Sequence, residues 1–142
     1  MKKLSNILIF TALLCVASCS QSPNATIEGH VTEATDNMIY LDHIGVERTT
    51  VADSTRLDKN GTFRFRVAQP ECFDFYRLRI GREMVYVSVD STETLKITAT
   101  LPTMSIAYEV EGSEDNLILK QLVHKKREIQ HQNCISRFLY LL

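Results

Sequence analysis

Asp53 and Ser54, in the run VADSTRLDKNG, could join His43 as an orienting acid, a nucleophile and a base. Such a set activates a hydroxyl only when the base reaches the nucleophile and is itself held in place. No G-x-S-x-G elbow surrounds Ser54, so Asp53 and Ser54 read as structural turn residues that cap or kink a strand through bonds to nearby backbone. Asp58 and Asn60 have the alternation of a calcium loop but lack its further oxygen ligands and closing glutamate. DKNG is therefore expected to form a tight hairpin turn, with Asn60 and Gly61 supplying positive φ. His124, Glu128 and His131 share one helix face at i, i+4 and i+7, a spacing able to hold a divalent ion. They do not form H-E-x-x-H, and a solvated helix face accounts for them. No catalytic residue, metal or cofactor is assigned, and the chain is not expected to be an enzyme.

The thiols carry the clearest chemistry. Cys15 and Cys19 lie at the end of MKKLSNILIFTALLCVASC, where a basic start leads into about eleven apolar residues. A permanent membrane span needs roughly 20 apolar residues, so the run reads as a signal peptide over residues 1–18. VASC resembles the lipobox of bacterial lipoproteins: a branched apolar residue, two small ones and a cysteine. That resemblance implies cleavage between Ser18 and Cys19, and a lipid on the Cys19 thiol. Cys15 is discarded with the signal. Residues 19–24 are polar, uncharged and interrupted by Pro23, which suits a short tether. The tether has neither the acidic run of surface-exported lipoproteins nor an aspartate after the cysteine. By the same resemblance to bacterial lipoproteins, the expected location is the periplasmic face of the outer membrane.

Only Cys72 and Cys134 remain, far apart and without a C-x-x-C, so they supply no disulfide framework. Cys72, in the run CFDFY, is expected to be a buried free thiol. A net charge of −1 gives no electrostatic reason to expect nucleic acid as a partner.

From Ala25 to Val110 the chain is a series of short runs with period-2 alternation, broken by turn residues. The clearest is TFRFRV, with Phe63, Phe65 and Val67 alternating against Arg64 and Arg66. TLKITATL sets Leu95, Ile97, Ala99 and Leu101 on one face, and SIAYEVEG does the same for Ile106, Tyr108 and Val110. GRE, with Gly81, reads as a three-residue hairpin. Eight such runs without intervening helices predict an all-β, antiparallel β-sandwich over residues 25–112. Phe63, Phe65, Phe73, Phe75, Tyr76 and Tyr108 are expected in its core. After Gly112 the period becomes helical, with Ser113 as N-cap and Glu114 and Asp115 in the first turn. The C-terminal helix is expected over residues 113–132, from about Glu114 to His131. Leu117, Ile118, Leu122 and Ile129 form its apolar stripe. Residues 133–142, ending FLYLL, are out of character for a soluble domain and read as the trace of a truncated or frameshifted frame.

IEGHV, VADSTRLDKNGTFRF, FYRLRIG and YEVEGSEDNLILKQL, in that order, resemble the N-terminal β-domain of unknown function found in many Bacteroidota lipoproteins. There it usually precedes a thioredoxin-like domain of the thiol-disulfide interchange type, which is absent from this sequence together with its C-x-x-C. The resemblance spans about residues 25–130. It implies a lipid-anchored, non-catalytic accessory or binding module, with the membrane and a thioredoxin-like or other envelope protein as partners. Two alternatives stay open: a truncated thiol-disulfide oxidoreductase, and a carbohydrate- or peptide-binding sandwich marked by an exposed aromatic cluster.

Overall fold

The computed structural model describes residues 24–34 and 38–139, with side chains to residue 133. The signal run, the Ser18–Cys19 junction and most of the tether lie outside the described residues, as do residues 140–142 and the side chain of Cys134. The eight expected runs form β1 (Asn24–Thr32), β2 (Met38–Ile44), β3 (Thr49–Arg56), β4 (Thr62–Ala68), β5 (Asp74–Ile80), β6 (Glu83–Val89), β7 (Thr94–Thr100) and β8 (Tyr108–Glu111). One helix, α1 (Glu114–Leu139), follows. The strands make two four-stranded sheets, ordered β4-β1-β7-β8 and β3-β2-β5-β6. All pairings are antiparallel except β1 with β7, which run parallel.

Side-chain alternation decides which surface of each sheet turns inward, because successive residues of a strand point to opposite faces. β4 and β7 bury every second residue, so Phe63, Phe65 and Val67 meet Leu95, Ile97 and Ala99 on the inner face of the first sheet. Ile39, Leu41, Leu78, Val85 and Val87 oppose them from the second sheet, none more than 1 % exposed. Full burial of each such side chain contributes about 1.5–3 kcal/mol. Gly29, in the middle of β1, allows close packing beside β7: a Cβ there would sit 2.0 Å from the Ile97 carbonyl oxygen.

Several local expectations are corrected. DKNG is not a hairpin between paired strands, because β3 and β4 belong to different sheets and the turn is a corner between them. The β5–β6 hairpin closes through Gly81 and Arg82 alone, with Ile80 opposite Glu83, so its loop is two residues long. Ile106 lies outside β8, in the turn before it, and is exposed. The helix continues past His131 to Leu139, so the first residues of the atypical tail are helical.

The helix also presents a different face than its apolar residues suggest. Asn116, Leu119, Lys120, Val123, His124 and Arg127 are its buried or half-buried positions, spaced to form one stripe. Leu117, Ile118, Leu122 and Ile129 all face solvent, Leu122 at 65 % exposure. α1 lies against β6 and β8, the edge strands of the two sheets. Polar anchors explain the choice of face. The Asn116 side chain is buried, accepts a hydrogen bond from the Ser88 amide at 2.8 Å and donates to the Ser88 carbonyl at 2.8 Å. Arg127 Nη1 donates to the Ser105 carbonyl at 2.6 Å. Among the described residues no helix is long and apolar enough to cross a membrane.

Candidate functional site

The sites suggested by the sequence lie apart. Asp53 and Ser54 are inside β3, not in a turn, beside a β-bulge. Leu41 opposes Asp53 while Asp42 opposes Val51, which leaves Ala52 as the extra residue. Ser54 N–H donates to Asp53 Oδ1 at 2.7 Å. Ser54 pairs across from Tyr40, whereas His43 pairs across from Thr50, so the two do not meet. The His43 ring instead engages Asp74, with Nε2 at 2.8 and 2.9 Å from the two carboxylate oxygens.

Asp58 organises the corner between the sheets. Its Oδ1 accepts the Asn60 and Thr62 amides, both at 2.8 Å, and its Oδ2 accepts the Thr62 hydroxyl. The Thr62 hydroxyl bond is the main reason this carboxyl titrates below its ordinary value. Gly61 alone takes positive φ, at 76°, and Asn60 does not. A Cβ on Gly61 would come 2.2 Å from the Val31 carbonyl oxygen, which ties the corner to β1. On α1, His124 and Glu128 border a hollow with His131, yet among the described residues no group of three His, Cys, Asp or Glu side chains is placed to hold a metal ion.

The outer face of the second sheet is where side chains of mixed character converge. Alternation along CFDFYRLRI turns Tyr76, Leu78 and Ile80 inward, and leaves Phe75, Arg77 and Arg79 on the opposite face. Two expectations fail here. Cys72 is exposed, and Phe73 and Phe75 are surface residues, Phe73 at 64 % exposure. Their rings pack edge to face, centroids 5.5 Å apart at 74°. The other four aromatics, Phe63, Phe65, Tyr76 and Tyr108, are buried as expected.

Beside this pair, Asp42 is buried at 2 % exposure and receives two guanidinium groups. Arg77 donates from Nε and Nη2 to Oδ2 at 3.0 and 2.7 Å. Arg79 donates from Nε to Oδ2 at 3.0 Å and also stacks over the Tyr40 ring, 4.6 Å from its centroid. Burial pushes the Asp42 carboxyl up, but the bonds from Arg79 and Arg77 outweigh it and hold the group below its ordinary value. The bond to Asp42 holds Arg77 above its ordinary value, with a smaller contribution from a hydrogen bond to Tyr86.

Between this face and α1 runs a groove of about 520 Å³. Ile44, Phe75 and Tyr86 line it from the sheet. Leu119, Leu122, Val123, Lys126, Arg127 and Gln130 line it from the helix. The volume lies within the usual range of about 300–1,000 Å³ for binding clefts. The arrangement offers an apolar, partly aromatic surface with cationic groups. Period-2 alternation already grouped Phe73, Phe75, Arg77 and Arg79 on one face. Reading that face as outward from its two arginines would have marked the β5 contribution to this surface, though not the rest of its lining.

By architecture the chain is an eight-stranded β-sandwich closed by a C-terminal helix. No family model, no curated protein and no solved structure matches it.

Proposed function

We propose that the chain is a lipid-anchored accessory module of the cell envelope that acts by binding, through the face shared by α1 and the second sheet. The observation that carries the binding role is the exposed Phe73–Phe75 pair next to the groove. Single exposed apolar side chains are ordinary, but aromatic rings continuous with an apolar groove mark interaction sites. Attachment through Cys19 and the periplasmic location follow from the N-terminal sequence, and a thioredoxin-like or other envelope protein is the partner that the family resemblance implies.

Two measurements test the reading. Cells fed radioactive palmitate should label the protein, and Cys19→Ser should remove the label; an unlabelled wild type refutes the anchor. A photo-crosslinking residue in place of Phe73 should give a discrete adduct in cells, whereas one in place of Lys96, exposed on the first sheet, should not. Equal adducts at both positions refute the binding face. The exposed Cys72 gives the oxidoreductase alternative an accessible thiol. Insulin reduction by the purified chain that is lost in Cys72→Ser would replace the binding role with a redox one.

A further inference from the structure

We infer that the groove between α1 and the β2–β5–β6 face takes an acidic peptide segment, its apolar side chains on Phe75, Tyr86 and Leu122 and its carboxylates near Lys126 and Arg127. This rests on the binding face proposed above and names what that face holds. The groove lining contains two cations and no carboxylate. Of the carboxylates on the same elements, Asp74 is hydrogen-bonded by His43 and Glu128 lies 3.5 Å from Lys125. Lys126 has no ion-pair partner among the described residues. On the same sheet face, Arg77 and Arg79 share the single carboxylate of Asp42, which leaves one positive charge uncompensated. Tyr86, which lines the groove, is the cross-strand neighbour of Arg77 and so places this excess charge beside the site. An incoming carboxylate therefore meets a surplus of cations beside a partly desolvated surface, where charge complementarity selects partners and speeds their encounter.

Shape favours a peptide over a bilayer. Leu119 and Val123 are half-buried within a concavity between helix and sheet, which a flat lipid surface does not enter but a side chain does. Recognition of an amphipathic segment in such a groove relies on a few apolar anchors flanked by charge.

The test uses fluorescence anisotropy with a short labelled peptide of Leu, Phe and Glu, and a counterpart carrying Lys for every Glu. The acidic peptide should bind at least about tenfold more tightly than its basic counterpart, a gap that narrows with added salt. Lys126→Glu should weaken the acidic peptide by about fivefold and strengthen the basic one. Leu122→Glu, at a largely exposed position, should reduce binding of the acidic peptide while circular dichroism stays unchanged. Equal binding of both peptides, no binding of either up to about 1 mM, indifference to both substitutions, or binding of anionic phospholipid vesicles in place of the peptide overturns the inference. If the peptides fail while the Phe73 crosslink persists, the binding face stands and its acidic preference is wrong. Loss of both removes the binding face itself.

Discussion

Asp42 shows how one buried charge is tolerated. An unpaired carboxylate inside a sheet face would be strongly disfavoured, and two arginines, each still partly open to water, compensate it. Asp42→Asn leaves both guanidinium groups without their anion, and should cost about 2 kcal/mol at neutral pH. That lies below the range of about 3–5 kcal/mol for fully buried pairs because the arginines can reach solvent. The folded pKa of Asp42 is depressed from 3.8, so its contribution is complete above that value and is lost as pH falls through the lower folded value. Urea unfolding of wild type and Asp42→Asn at pH 7 and pH 3 should therefore show the gap between them narrowing in acid. A constant gap would assign the loss to packing instead. Glu93 runs the other way: burial raises its carboxyl above 4.5, so its contribution is complete below that value and is lost as pH rises through the folded value. Asp42 and Glu93 thus oppose one another as acid is added.

At the scale of elements, the strands were legible and the helix was only half so. A strand reports its inner face through simple alternation, and Phe63, Phe65, Leu95 and Ile97 lie where alternation puts them. The helix misleads because its strongest apolar residues, Ile118 and Leu122, face away from the sandwich, while a buried asparagine makes the docking contact. Hydrophobic periodicity cannot register an anchor of that kind. The same limit applied to the groove: its lining comes from β2, β5, β6 and α1, and only the sheet order brings these together. Asn116→Ala should leave the Ser88 amide and carbonyl without partners, at about 1–3 kcal/mol each where both stay dry. Hydrogen exchange should then quicken in α1 and at Ser88 while the β1–β7 ladder keeps its protection. Uniform acceleration through both sheets would show that helix and sandwich open together.

At the scale of the whole molecule, α1 covers the side on which the β6 and β8 edges come together, and the opposite side carries β3 and β4. Unpaired edges invite other strands, and natural sheets protect them with cover, bulges or charge. β6 and β8 have cover; β3 has the bulge at Ala52, and β4 carries Arg64 and Arg66 on its outward face. A chain ended after Gly112 should expose the first pair of edges and associate in solution, as light scattering would detect; a monodisperse monomer would show that the sandwich needs no cover.

This asymmetry also sets a ceiling on accidental growth. Because α1 lies over the β6 and β8 side, strand-by-strand joining through the edges of the described residues is confined to the β3 and β4 side. A pair can form there, but no second uncovered side is offered from which a fibril could lengthen.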